Sequence, residues 1–111
     1  MTLQPDVQAF ANLLREIEAL LREHNQTHWA AQIARCVASI ERSDAHGLQR
    51  FLSFFGGMGS LNDVLLCRDE EPLAAENDRL RALVGRAYEG GRRLARDRGG
   101  TDGERIPPNP N

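Results

Sequence analysis

Apolar residues recur along this chain at steps of three and four, and short polar turns interrupt them. Val7, Phe10, Leu14, Ile17 and Leu21 form the first stripe, which Leu13 and Leu20 widen. A period of 3.6 residues puts these positions on one face, so the pattern predicts an amphipathic helix over 5–24. Pro5 and Asp6 suit its first turn, by fixed φ and by charge against the helix dipole, and Thr2 stands where it can cap. The stretch "HNQTH" supplies the break. A second helix comes next over about 28–42, with Trp29, Ile33, Cys36, Val37 and Ile40 on one face and Thr27 or Asn25 as its cap. After "SDAHG", Ser43 or Asp44 can cap a short third helix that points Leu48, Phe51, Leu52 and Phe55 inward. Gly47 weakens that helix and leaves its start open.

The next stretch, "FFGGMGSLNDVLL", breaks the helical rhythm. Gly56 and Gly57 can take the left-handed backbone that ends a helix, and Ser60 or Asn62 can cap the element after them. "LNDVLL" is too short for period alone to separate helix from strand. A helical reading over 61–66 is preferred, because no second strand is evident for it to pair with. "CRDEEP" breaks the chain again. Leu73, Leu80, Leu83, Val84, Ala87, Tyr88 and Leu94 then mark a last helix over about 72–96. Residues 97–111 lack an apolar period and are rich in glycine and proline, which predicts a disordered tail. The expected fold is all-α: one compact domain over 1–96, a bundle of four main helices with a short fifth at 61–66. Short connections favour antiparallel neighbours.

Length and composition agree with this picture. A chain of 111 residues suffices for one domain and not for two. Its net charge of -2 exerts no global pull on nucleic acid or an anionic membrane. All 14 basic residues are arginine, a bias that a GC-rich bacterial genome produces without functional cause. No apolar run approaches the ~20 residues of a membrane span, and no charged leader opens the chain. Both absences argue for the cytoplasm. Cys36 and Cys67 are too few for a disulfide framework, although two thiols leave a single bridge open.

Candidate chemistry is sparse. His24 and His28 are four apart, a spacing that serves a metal only on one continuous helix, and here they flank a break. His46 near Asp44 reads equally as an acid–base pair or as capping residues, and Cys36 lies on an apolar face as an inert core thiol. No serine, cysteine and histidine trio has the context of a nucleophilic site, so no catalytic residue, metal or cofactor is expected. The glycine loop could attract an anion to free N–H groups, but it lacks the lysine and the Gly-Lys-Ser/Thr ending of a phosphate-binding loop. Its three glycines exceed what one turn requires and permit a second backbone to come close, with Met58 as an adaptable apolar contact. The loop is therefore read as a tight corner that doubles as a recognition surface.

"FLSFFGGMGSLNDVLL", with an aromatic-bearing helix before it and a leucine-rich segment after, resembles a small uncharacterised bacterial family of single helical domains. The likeness covers about residues 29–94, Trp29 and Asn77 included. It implies a prokaryotic cytosolic protein and brings no activity with it.

Charge is segregated near the end of the chain. Residues 69–78 carry five acids and no base, whereas 79–98 carry seven arginines against Glu89 and Asp97. An acidic helix start and a basic helix end suit the macrodipole without any partner. Three functions compete. The first is a cytosolic protein-binding module, most concretely an immunity protein or antitoxin that occludes a toxin. Its surface would be Gly56, Gly57, Met58, Gly59, Ser60, Asn62 and Asp63 together with Asp69, Glu70 and Glu71, facing a basic toxin domain. The second is an RNA-binding regulator using Arg86, Arg92, Arg93 and Arg96. The third is a small enzyme whose site at the glycine loop rests on Asn62 and Asp63.

Overall fold

A computed structural model of the chain describes residues 4–55 and 60–103, with side chains as far as Asp97. Four α-helices are present among the described residues: α1 Pro5–Glu23, α2 Thr27–Glu41, α3 His46–Leu52 and α4 Ala74–Gly103. Between α3 and α4 lie a single 3-10 turn, Leu61–Asp63, and a minimal antiparallel hairpin of β1 Cys67–Arg68 and β2 Glu71–Pro72. α1 packs on both α2 and α4, and α3 packs on the same two helices, so the four close into a ring. Phe10, Leu14, Ile17 and Leu21 from α1 meet Ile33 and Val37 from α2 and Leu80, Leu83 and Leu94 from α4 inside it. The fold is the all-α bundle that the apolar stripes predict.

The ends of the helices show why each stops. Asn25 is left-handed, with φ of 63°, and its N–H donates to Arg22 while the N–H of Gln26 reaches back to Leu21. That paired closure satisfies the last carbonyls of α1. α2 ends the same way on Ser43, φ 62°, with bonds from Ser43 to Ile40 and from Asp44 to Ser39. The cap expected on α2 from Thr27 or Asn25 is absent: Thr27 is already helical, Gln26 holds the N-cap position without a side-chain bond, and Asn25 ends the preceding helix. At the start of α3, where Ala45 holds the N-cap position, Asp44 does serve as an acceptor. Its Oδ1 accepts from the His46 N–H at 2.9 Å, and that backbone donor chiefly holds its carboxyl below the usual range. The expected cap Thr2 lies outside the described residues.

Two boundaries differ from expectation. Of residues 61–66, only Leu61–Asp63 are helical, as a single 3-10 turn; after it the chain is extended at Val64 and drops Leu66 into the core. A hairpin does come after it, but it pairs 67–68 with 71–72 rather than using this run. α4 begins at Ala74 and continues to Gly103, past the end expected near 96. The rest of the expected tail, 104–111, lies outside the described residues. Among the described residues no helix is long and apolar enough to cross a membrane.

At Gly47 α2 and α3 come into close contact. A Cβ built there would stand 2.8 Å from the carbonyl oxygen of Cys36 and 2.8 Å from Cβ of Ser39, so α2 and α3 can touch only because the side chain is missing. The same glycine that weakens α3 locally is what docks it. Gly47→Ala should therefore destabilise the fold by about 1–3 kcal/mol despite alanine's better helix propensity, measurable as a lower urea midpoint with an unchanged slope. Ser43→Gly should act in the opposite sense. Removing the left-handed strain at an exposed Cβ should stabilise by about 0.5–1 kcal/mol after the entropy of the unfolded glycine is subtracted, read as a raised thermal midpoint.

Candidate functional site

The segment from α3 to α4 carries the residues that set this bundle apart. It begins where the N–H of Leu61 donates to the carbonyl of Phe54 at 3.0 Å, closing the base of the loop between them. Gly56, Gly57, Met58 and Gly59 of the expected surface lie outside the described residues. Ser60 is buried at the N-cap of the 3-10 turn and its side chain makes no capping bond; the turn is closed by the backbone bond from Asp63 N–H to the Ser60 carbonyl. Neither Ser60 nor Asn62 is therefore the side-chain cap expected of it.

Asn77 then fixes the whole segment to α4. The Asn77 Oδ1 accepts from the Leu66 N–H at 2.7 Å, and its Nδ2 donates to the Leu66 carbonyl at 2.9 Å. The side-chain amide thus takes the place of a neighbouring strand for one residue of backbone. Nδ2 also donates to the Leu73 carbonyl, while the Leu73 N–H reaches the Leu66 carbonyl, both at 2.9 Å. Asn77 is only 6% exposed, so these bonds form where water cannot replace them. The hairpin between Leu66 and Leu73 is consequently tethered at both ends.

Between this clamped segment and α4 runs an open groove of about 650 Å³. Asn62, Asp63 and Leu65 stand on one wall, and Arg81, Val84 and Tyr88 of α4 on the other. Leu65 is 53% exposed, the one large apolar side chain left in water among the described residues. Tyr88 is held in place by Phe55, ring centroids 4.7 Å apart, and the Arg92 guanidinium lies over its face at 5.7 Å. Asn62 and Asp63 were expected to act together, and the structure places both at this groove. Arg81, Leu65 and Asn77 did not figure among the expected site residues. An asparagine in register with Leu80 and Val84 signals a buried polar position, while its partner 11 residues away leaves no local signal.

Asp69, Glu70 and Glu71 occupy the hairpin. Asp69 and Glu70 form its two-residue turn, both left-handed at φ 52° and 70°. Positive φ at both central positions is the geometry that twists correctly between antiparallel strands, and Asn-Gly normally supplies it. Here two acids do so, and all three carboxylates are exposed without an internal ion pair among the described residues.

Cys36, His28 and His46 are engaged within the fold. Burial pushes the Cys36 thiol up to about 11, which leaves it protonated and unreactive. Cys36 is buried and Cys67 exposed, and both are free. His28 packs edge-on to Trp29, and His46 pairs with Asp44 at 3.0 Å on the surface. Among the described residues no three His, Cys, Asp or Glu side chains are grouped to hold a metal ion.

Residues 22–74, from the last turn of α1 to the first residue of α4, match a family described as a domain of unknown function (DUF6966). The match contains the groove's 61–65 wall and the hairpin and stops short of Asn77. No curated protein and no solved structure matches the chain.

The clamp is directly testable. Asn77→Ala would strand the Leu66 N–H in the core, costing about 2–4 kcal/mol. Amide hydrogen exchange should then speed up at Leu66 and through 67–73, with α1 and α2 still the slowest to exchange.

Proposed function

We propose that this protein is a protein-binding module, most concretely a bacterial cytoplasmic immunity protein or antitoxin that blocks a basic toxin domain by occlusion. The observation that carries the reading is the hairpin turn. Non-glycine residues in left-handed backbone cost on the order of 1 kcal/mol each, yet Asp69 and Glu70 both adopt it, and with Glu71 they present three successive unpaired carboxylates. Such an array suits a partner's arginine or lysine side chains, which would gain charge-assisted hydrogen bonds. The neighbouring groove, with Leu65 at its edge, offers the apolar contact that an interface centre needs. Occlusion requires binding and no chemistry of its own.

A specific observation supports a second reading. Arg92 stacked over Tyr88 combines a cation with an aromatic face, the pairing that single-stranded RNA uses. Arg86, Arg93 and Arg96 lie on the same helix.

Co-purification from the native cell and then binding kinetics separate the two. Glu70→Arg with Glu71→Arg should slow association with a protein partner by about ten-fold at low salt, and much less at high salt. Glu70→Gly should relieve the turn and raise stability by about 0.5–1 kcal/mol while also slowing association. Unchanged kinetics for both variants would remove the hairpin from the interface. Loss of binding in Arg92→Glu with Arg93→Glu alone, or RNA as the captured partner, would move the function to α4.

A further inference from the structure

Gly85 sits in the middle of α4, exposed, where glycine weakens a helix and where no internal packing calls for it: a Cβ there would meet nothing within 4 Å. It stands between two grooves. One is the 650 Å³ groove already described; the other, about 680 Å³, runs along the α1–α4 seam over Phe10, Leu13 and Leu94. Arg81 and Gly85 line both, so they form the ridge that separates them.

That ridge continues along the helix as Asp78, Arg81, Gly85, Glu89 and Arg92, all exposed. Their steps of three and four put them on one face, opposite the face that buries Leu80, Leu83, Ala87 and Leu94. Outward from Gly85, the charges are ordered. Arg81 and Glu89 lie four residues to either side and are opposite in sign. Asp78 and Arg92 lie seven residues to either side and are opposite again. A helix laid antiparallel across its own copy, crossing at Gly85, therefore sets Arg81 of one chain against Glu89 of the other and Asp78 against Arg92, each contact made twice.

We propose that this face of α4 is a homodimer interface, and that its occupant is a second copy of this chain packed antiparallel with a two-fold axis at Gly85. Two-fold contacts must be self-complementary, and the stripe is so from Asp78 to Arg92; Arg96, one step further along the face, lies opposite Ala74 at the edge of the contact. The absent side chain at the crossing lets the two backbones approach, and the grooves on either side receive what projects from the other copy. Inside one chain these charges are weakly used: Arg81 reaches Asp78 only at 3.5 Å, and Arg92 touches only the Tyr88 ring among the contacts of the described residues. The inference does not rest on the proposed function: it shares the 650 Å³ groove with that reading but uses none of the hairpin's carboxylates.

Sedimentation of the purified chain tests it. The wild type should have twice the chain mass in the micromolar range, dissociating as salt is raised. Gly85→Leu should be a single chain with an undiminished thermal midpoint, since its side chain enters open space within the chain and the crossing point between chains. Arg81→Glu with Arg92→Glu makes the stripe all acidic, and Asp78→Arg with Glu89→Arg makes it all basic. Each should be a single chain alone, and equimolar mixing should restore the double mass. Glu70→Arg with Glu71→Arg should remain double, which separates this outcome from any failure of toxin binding. A wild type of single mass, a Gly85→Leu variant that still doubles, or two opposite variants that do not associate when mixed would each overturn the proposal.

Discussion

Phe51 is the point on which the bundle turns. It is fully buried on the shortest helix and meets Phe10 of α1, Phe54 and Phe55 edge-to-face, with ring centroids 5.2 to 6.2 Å apart. Phe54 passes the contact to Trp29 of α2, and Phe55 passes it to Tyr88 of α4. The four phenylalanines, the tryptophan and the tyrosine of this chain thus form one connected set touching every helix. A helix of seven residues is too short to hold itself in water. α3 exists because the aromatic set and the close approach at Gly47 dock it between α2 and α4. The chain beyond it inherits its direction, since Phe54 also accepts the bond that closes the loop at Leu61.

A second constraint acts on the segment that this direction leaves without a neighbour. Past Leu61 the chain has too few residues for a helix and no sheet to join, so its backbone polar groups need partners from elsewhere. Asn77 supplies them at Leu66, and the buried Leu66 side chain adds packing to the same point. Anchoring one residue this firmly frees its neighbours. Leu65 can face water and the hairpin can carry strained acids, because neither has to hold the segment in place. Stability concentrated at one position is what permits unusual chemistry on either side of it.

These two constraints also mark what the sequence disclosed. The stripes of α1, α2 and α4 were legible because long amphipathic helices repeat their signal many times over. Asp44 as an acceptor at the start of α3 was legible because such bonds are local, although Ala45 holds the N-cap position itself. The run holding Asn62 and Asp63 was only partly legible: a helix was preferred over 61–66, and one 3-10 turn at Leu61–Asp63 is what forms. The hairpin was not: its strands have two residues each, and its turn reads Asp-Glu where Asn-Gly would have announced it. Nor was the opposite wall of the groove, since Arg81 looks like any other polar residue beside an apolar stripe and Tyr88 like any other member of it. The Asn77 clamp spans 11 residues through a side chain, a distance at which no periodicity operates. Local rules found local structure, and bonds made across the fold escaped them.

Glycine illustrates how far a residue type falls short of a role. Gly47, Gly85 and Gly91 all lie within helices and all cost propensity, so composition ranks them equally. The space around each separates them. At Gly47 a Cβ would meet a backbone oxygen at 2.8 Å, an atom that cannot swing aside, and the helix contact depends on its absence. At Gly91 a Cβ would meet Leu52 and Phe10 at 3.2 Å, the far ends of side chains on two other helices, so the requirement there is packing that neighbours could partly absorb. At Gly85 there is nothing to meet. The first two are explained by the interior of the molecule, where their cost is offset by contact. The third has its cost within the chain and no offset there. A stripe whose charges mirror one another about that same residue then locates the compensating contact outside the chain, on a surface of the same sequence.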